Sequence, residues 1–283
     1  MTTNTSFRFS RFIQIKGHLH DFSNPKIMGI LNMTPDSFFE KSRKTFGAEL
    51  MEVVQNMVNE GMDILDVGAS STRPGAQPPS ASEELGRLQE VIPFLRKAFP
   101  DLLLSIDTFH SEVASFALNE GFDLVNDISG GQFDEQLLET VASHKAAYVL
   151  TYHRGSKANS SESHVKDRLM MDALRYFSEK ITQLEQKGIL NVILDPGFGF
   201  GKSLEENYEL IRSFDLLHVF EKPILIGVSR KTMIREVLAV DTENALNGTS
   251  VLHTLLYAKN AHVFRVHDVK EMNEVRALMK ASL

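Results

Sequence analysis

The chain alternates between short apolar runs and longer amphipathic stretches. Eight such runs occur, at 27–31, 62–67, 102–106, 122–126, 146–150, 190–194, 223–228 and 262–266. Each is nearly all apolar and is followed by polar or glycine-rich residues. This pattern is typical of a parallel strand that is buried on both faces.

The stretches between these runs have helical periodicity. In the stretch 163–186, one apolar stripe is formed by Met170, Leu174, Phe177, Ile181 and Leu184. Strands that alternate with helices predict a parallel α/β fold. Because eight strands close a barrel, we expect a (β/α)8 TIM barrel, with a doubly wound open sheet as the alternative.

The residues before the first run predict a short N-terminal β-hairpin at the floor of the barrel. Alternating apolar residues extend to Ile15, Gly17 follows, and a second short run ends at Phe22. We find no linker or low-complexity segment, so residues 1–283 are expected to form a single domain.

Composition narrows the classes of function. The 283 residues are 42% hydrophobic, which excludes a disordered chain, and they include no cysteine. Disulfides, zinc–thiolate sites, iron–sulfur clusters and cysteine nucleophiles are therefore excluded. The lack of cysteine suits a cytoplasmic protein. A net charge of −7 argues against a nucleic-acid partner, and no apolar run is long enough to predict a membrane span.

Polar residues follow almost every predicted strand, and in a barrel these strand ends form the active-site rim. The most informative are Asn32, Thr72, Arg73, Pro74, Asp107, Asn126, Asp195, Ser229, Lys231, Arg265 and His267. Taken singly, Asp107 is also placed to cap a helix near Ser111, and Asn126 is also placed to satisfy a turn. Lys202 is interpreted as a solvated residue at a helix start. Two carboxylates, an amide and two cations on one rim nevertheless indicate a binding site.

The chemistry of this set suits a flat polar heterocycle with a phosphorylated arm. Asp107, Asn126 and Asp195 offer acceptors and one amide donor, which match an amino-pyrimidinone edge, and Lys231 supplies a further donor. For the phosphate, donors come from Asn32, Arg73, Arg265 and His267.

The chain resembles the dihydropteroate synthase family. The resemblance rests on MGILNMTPDSF (28–38), DVGASSTRPGA (66–76), SIDT (105–108), VNDISGG (125–131), LDPGFGFGKSLEENYEL (194–210), GVSRK (227–231) and RVHDV (265–269). It implies a (β/α)8 barrel that joins 6-hydroxymethyl-7,8-dihydropterin pyrophosphate to p-aminobenzoate in folate biosynthesis. It also implies a sulfonamide target and a homodimer formed through the last helices.

The resemblance implies a role for each matching residue. Pterin would be held by Asp107, Asn126, Asp195 and Lys231, with Ile128, Phe200 and Gly227 packed around its ring. Pyrophosphate would contact Asn32, Arg73, Arg265 and His267, with Mg²⁺ on Asn32. p-Aminobenzoate would contact Phe38, Thr72, Arg73, Pro74, Ser229 and Lys231. The catalytic set would be Asp107, Lys231, Arg265 and His267, in an SN1-like mechanism without a protein nucleophile.

One departure from the family falls inside the expected pocket, because Thr151 stands where a methionine usually packs on the pterin. Two other functions are considered. A pterin-dependent methyltransferase would share Asp107, Asn126 and Asp195 but would not need the STRPG, SRK and RVHD segments. A catalytically silent pterin-binding homologue is the second alternative.

Overall fold

The computed structural model describes residues 12–33, 43–69, 79–153 and 168–282. Eight parallel strands form the main sheet. They are β3 (Lys26–Asn32), β4 (Ile64–Gly68), β5 (Leu103–Asp107), β6 (Leu124–Asp127), β7 (Ala147–Thr151), β8 (Val192–Asp195), β9 (Leu225–Ile226) and β10 (Val263–Val266). Each lies within or beside one of the predicted apolar runs.

Helices connect consecutive strands. They are α1 (Arg43–Asn59), α2 (Ala81–Leu88), α3 (Val91–Ala98), α4 (Ser111–Asn119), α5 (Leu137–His144), α6 (Arg168–Gln186), α7 (Leu204–Arg212), α8 (Thr232–Leu238), α9 (Leu246–Ala258) and α10 (Val269–Ser282). Short 3₁₀ helices occupy Phe214–Phe220 and Glu243–Ala245. The apolar stripe predicted on α6 is confirmed, since Met170, Phe177 and Leu184 are buried.

The sheet closes on itself. The strands follow the order β8-β7-β6-β5-β4-β3-β10-β9. A parallel bridge joins Leu194 of β8 to Ile224, just before β9, and the Leu194 N–H donates to the Pro223 carbonyl at 2.9 Å. The structure is therefore the predicted barrel and not the open sheet. β9 pairs over two residues, fewer than the run 223–228 suggested.

An antiparallel hairpin lies at the floor of the barrel, as predicted. Its strands are β1 (Phe12–Ile15) and β2 (His18–Asp21), and Lys16 and Gly17 turn between them with positive φ. Ile13 and Ile15 point inward and pack with barrel residues that include Val149. The bottom of the barrel is thus filled with apolar side chains, which leaves the opposite, carboxyl end for the site.

The alternation along β7 shows how the strands separate the two sides of the barrel wall. Ala147 and Val149 pack with the hairpin inside the barrel, whereas Tyr148 and Leu150 belong to the outer core beneath the helices. Thr151 continues the inward-facing series. Inward residues near the strand ends therefore form the layer above the apolar floor.

Candidate active site

A hydrogen-bonded cluster of charged and amide side chains lies inside the carboxyl end of the barrel. Arg265 on β10 donates through Nε to Asp66 on β4 and through Nη2 to Asp107 on β5, each at 2.6 Å. Asn126 on β6 donates through Nδ2 to the same Asp66 oxygen at 2.9 Å. The predicted convergence of Asp107, Asn126 and Arg265 is present, and the three are joined through Asp66.

Asp66 is a site residue that the sequence interpretation did not single out. It lies within β4, between the apolar residues Leu65 and Val67, and its side chain is fully buried. The signal available in the sequence was a carboxylate in the middle of an otherwise apolar run, which requires a buried partner. Gly68 ends the same strand, and a Cβ atom there would lie 3.2 Å from the Asp107 Cβ, so the glycine gives Asp107 room.

Asp107 does not cap a helix. His110 is the N-cap residue of α4, and the Ser111 N–H instead donates to Asp134. Burial raises the pKa of Asp107 to about 7, the charge on Arg265 opposes that increase, and the charge on Asp66 adds to it. The carboxyl group is thereby set to change its protonation near neutral pH.

Asn126 does not satisfy a turn through its side chain. That role belongs to Asp127, whose oxygens accept from the N–H groups of Ser129 and Gly131. The Asn126 side chain faces the opposite way and is directed to Asp66. Of the two polar neighbours, Asn126 therefore faces the site and Asp127 supports the loop behind it.

Lys231 and Asp195 form the second charged group of the site. Asp195 ends β8 and is 7% exposed, and its Oδ1 accepts from the Gly197 N–H at 2.7 Å. Lys231 donates to the Phe198 carbonyl, and its Nζ lies 4.5 Å from the centre of the Phe200 ring. Burial lowers the pKa of Lys231 to about 8, while Asp195 opposes the decrease. Burial also raises the pKa of Asp195, and Lys231 is the largest opposing influence.

The glycine-rich loop after β8 is held in place by Lys202. Its Nζ donates to the carbonyls of Tyr152, Gly197 and Phe200 at 2.9, 2.7 and 3.2 Å. The interpretation of Lys202 as a solvated helix-start residue is wrong, because the side chain folds back under the loop. Ser203 begins α7 instead, through a capping box with Glu206.

Ser229 and His267 are paired at the rim. The Ser229 Oγ accepts from the His267 backbone N–H at 3.3 Å and lies 3.0 Å from Nδ1. The hydroxyl can donate to Nδ1 or accept from it, so this contact holds the ring in place with either tautomer. Partial desolvation and the charge on Arg265 lower the pKa of His267. His267 is therefore a neutral imidazole at neutral pH, with one N–H to donate.

The other predicted residues fall into two groups. Asn32 ends β3, Ile128 follows β6, and Gly227 follows β9, where a Cβ atom would lie 3.9 Å from Lys231 Nζ and 4.0 Å from the Arg265 Cβ. Phe38, Thr72, Arg73 and Pro74 lie outside the described residues. Within the described ranges, no group of three or more His, Cys, Asp or Glu side chains could hold a metal ion.

Thr151, the departure from the family pattern, is fully buried at the end of β7 and is paired in register with Asp195. Its Oγ1 has no hydrogen-bond partner. A hydroxyl group thus stands beside Asp195 at the same level of the barrel.

Known proteins match this chain over most of its length. The model of the pterin binding enzyme family matches residues 28–267. Dihydropteroate synthase from Escherichia coli is 37% identical over 265 residues, covering 93% of each chain, and that from Synechocystis is 37% identical over 252 residues, covering 88% of this chain and 87% of its own.

Solved structures agree with these relatives. The Yersinia pestis dihydropteroate synthase in a sulfonamide drug complex superposes with a TM-score of 0.86 at 36% identity, covering 96% of this chain and 98% of its own. The Xanthomonas albilineans dihydropteroate synthase with 4-aminobenzoic acid gives 0.84 at 32% identity with the same coverage.

Proposed function

Because this chain belongs to the dihydropteroate synthases, within the family of pterin binding enzymes, it is a transferase of folate biosynthesis, and we propose that the residues described above carry out its reaction. The reaction joins 6-hydroxymethyl-7,8-dihydropterin pyrophosphate to p-aminobenzoate and releases pyrophosphate. The relatives do not favour a pterin-dependent methyltransferase or a silent homologue. The observation that carries the assignment of roles is the buried cluster of Asp66, Asp107, Asn126 and Arg265 beside the Asp195–Lys231 group.

The buried acids and the amide are suited to the edge of the pterin. Asp107, Asn126 and Asp195 present acceptor oxygens to the N–H groups of an amino-pyrimidinone ring. Hydrogen bonds with one charged partner contribute about 1.5–3 kcal/mol each. Lys231 Nζ lies 4.5 Å from the centre of the Phe200 ring, and the charge on Asp195 favours its protonated form, which supports a donor role in the same pocket. Ile128, Phe200 and Gly227 would border the ring, with Gly227 keeping that wall flat.

The donors at the rim are suited to pyrophosphate. His267 offers an N–H from a neutral ring, and Arg265 provides positive charge that its two carboxylate partners hold in a fixed orientation. Arg73 and Asn32 complete the proposed set. A fixed cation at the place where charge develops on the leaving group stabilises the transition state without reorganisation.

The donor set fits Mg²⁺ that arrives with the substrate. Magnesium keeps several waters and needs few protein ligands when phosphate oxygens are present. Asn32 ends β3 and would supply one hard oxygen ligand through its amide, and among the described residues no cluster of three or more acids or histidines offers a metal site. Asn32 would hold the ion, which when bound neutralises charge on the pyrophosphate.

p-Aminobenzoate would bind above the pterin, at the outer part of the mouth. Ser229 and Lys231 would form the base of this pocket, and Phe38, Thr72, Arg73 and Pro74 would complete it. Ser229 is 6% exposed and is already fixed by His267, so its contact surface is defined before the ligand arrives.

The proposed reaction order is dissociative. The bond from the exocyclic carbon to the pyrophosphate oxygen breaks first, the electron pair leaves with the pyrophosphate, and the carbon becomes a cation conjugated with the pterin. Ionised Asp107 and Asp195 stabilise that cation. The nitrogen lone pair of the neutral p-aminobenzoate amine then forms the new bond to that carbon, and the resulting ammonium gives its proton to water, without a protein nucleophile.

We also propose a cytoplasmic homodimer that forms through the last helices. Leu252 and Leu256 of α9 belong to the core, but Val251 and Leu255 on the same helix are 51% and 48% exposed. Leu278 on α10 is exposed as well. Sedimentation velocity would test the dimer: a monomer at micromolar concentration would contradict it.

Among the described residues, no helix combines the length and the apolar character that a membrane crossing needs.

The roles are tested by incubating the protein with the pterin pyrophosphate and Mg²⁺, with and without p-aminobenzoate. We expect dihydropteroate formation that depends on p-aminobenzoate, with one pyrophosphate released for each dihydropteroate formed. A protein that forms no dihydropteroate with all three present would contradict the proposed site.

A further inference from the structure

Asp66 occupies the centre of the site cluster without facing solvent. Its Oδ2 accepts from Asn126 Nδ2 at 2.9 Å and from Arg265 Nε at 2.6 Å, and the side chain is fully buried. Its Oδ1 has no hydrogen-bond partner, and neither does the Oγ of Ser105, its neighbour in register on β5. Burial of a carboxylate with one unpaired oxygen lowers the stability of the fold, which points to a functional reason for its charge.

The first consequence of this geometry concerns Asn126. An amide can present either its oxygen or its nitrogen to a ligand, and the two choices select opposite partners. Because Asp66 accepts from the Asn126 nitrogen, the amide oxygen is turned away from Asp66 and is available to a ligand, with the second N–H of the amide beside it. Asp66 therefore determines which way the Asn126 amide faces and keeps its oxygen in an acceptor orientation.

The second consequence concerns Arg265 and, through it, Asp107. Two carboxylates on neighbouring strands, Asp66 and Asp107, hold the guanidinium group from two of its nitrogens. Two such bonds fix the plane of the guanidinium group. The negative charge on Asp66 also competes with Asp107 for the positive charge on Arg265.

We propose that Asp66 is a positioning residue for the transferase reaction: it fixes the acceptor orientation of Asn126 and the plane of Arg265, and it sets the charge balance around Asp107. The proposal rests on the roles given to Asn126, Asp107 and Arg265 in the proposed function. Asp66 itself acts through these residues and does not contact substrate.

The test is Asp66→Asn, which preserves the shape of the side chain and removes its charge. We expect kcat/KM for the pterin pyrophosphate to fall about 10- to 100-fold, because the neutral amide holds Asn126 and Arg265 less firmly. Activity that requires ionised Asp107 declines on the acid side. That acid limb should move to lower pH by roughly one unit, because a neighbouring negative charge has been removed.

The acid limb depends on every charged group around Asp107, and these must be unchanged in the variant. Besides Asp66, they are Arg265 on β10, Asp127 on β6, Lys231 after β9 and Glu84 on α2. The matched control is Asp123→Asn. Asp123 is also a buried carboxylate paired with an arginine, Arg96 at 2.6 Å, but it lies just before β6, at the floor end of the barrel. We expect this control to lose stability while its pH profile stays in place.

The outcomes separate this proposal from the proposed function. A wild-type protein that forms no dihydropteroate from the pterin pyrophosphate and p-aminobenzoate would contradict the proposed function itself. An active wild type whose Asp66→Asn variant keeps its kcat/KM, or loses activity with an unmoved acid limb, would overturn the positioning role. If Asp66→Asn does not fold, Asp66→Ser replaces it under the same criteria, since the smaller side chain leaves room for water to accept the two N–H groups.

Discussion

Replacement of Asp195 by asparagine isolates the contribution of one charged acceptor to pterin binding. The Oδ1 of Asp195 accepts from the Gly197 N–H at 2.7 Å, and an asparagine oxygen can accept the same bond. The loop after β8 should therefore keep its position. The second carboxylate oxygen becomes an amide N–H₂, which turns a charged acceptor into a donor.

The expected loss of pterin affinity follows from that change. A hydrogen bond to a charged group contributes about 1.5–3 kcal/mol, which corresponds to a Kd about 10- to 150-fold higher. Asp195 is nearly buried, so water does not replace the lost interaction. The apo variant should not be less stable than the wild type on account of charge, because burial raises the pKa of Asp195 and thus disfavours its ionised form.

Isothermal titration calorimetry with 6-hydroxymethyl-7,8-dihydropterin measures this loss directly. The same titration of Asp123→Asn is the control, because that carboxylate lies at the floor end of the barrel and pairs with Arg96. A Kd of Asp195→Asn within about twofold of the wild type, or an equal loss in the control, would refute the assignment of Asp195 to the pterin pocket.

Three further perturbations test the electrostatics and the loop. Burial raises the pKa of Glu84 to about 7, so the stabilisation that Glu84 contributes is complete below pH 4.5 and is lost as pH rises through 7. In urea unfolding, the free energy of unfolding of the wild type relative to Glu84→Gln should fall on the order of 3 kcal/mol between pH 5 and pH 8. Burial lowers the pKa of Lys231 from 10.5 to about 8, so between these two values the unfolded chain binds a proton that the folded protein does not. The stabilisation present above pH 10.5 is therefore lost as pH falls through 8. The unfolding free energy of the wild type relative to Lys231→Met should rise on the order of 3 kcal/mol from pH 8 to 10.5. Lys202→Met leaves three loop carbonyls without their donor and should lower the free energy of unfolding in urea by about 2–3 kcal/mol. The control Lys187→Met removes a surface lysine that is 43% exposed and should cost under about 1 kcal/mol. Equal losses in the two variants would contradict the role of Lys202.

The barrel could be predicted from the sequence because its strands are buried on both faces. Apolar runs with polar ends repeat eight times, and only closure distinguishes a barrel from an open sheet. The length of β9 could not be predicted. The run 223–228 is apolar throughout, but the chain leaves the sheet after Ile226 and turns, with the Lys231 N–H donating to the Val228 carbonyl. An apolar run shows that its residues are buried, but it does not show which of them hydrogen-bond to a neighbouring strand.

The site could be predicted where its residues stand at the ends of strands. Asp107, Asn126 and Asp195 follow this rule, and the first two meet through a shared partner, Asp66. Asp66 itself lies inside an apolar run, where the pattern suggests core. Lys202 shows the opposite error: its position at a helix start suggests solvent, and only the folded loop shows the carbonyls that its ammonium reaches.

The charges inside the barrel favour a ligand that becomes positive during the reaction. Asp66, Asp107 and Asp195 are opposed by two cations, Arg265 and Lys231. Arg265 bonds two of these acids, and the three carboxylates still outnumber the two cations before substrate binds. A cation that forms on the pterin would face an excess of carboxylate in a site shielded from water, and it would draw Asp107, whose pKa is about 7, into its ionised form. The same arrangement would repel an anionic nucleophile and admits the neutral amine, which is why departure of pyrophosphate before attack is the order that this geometry supports.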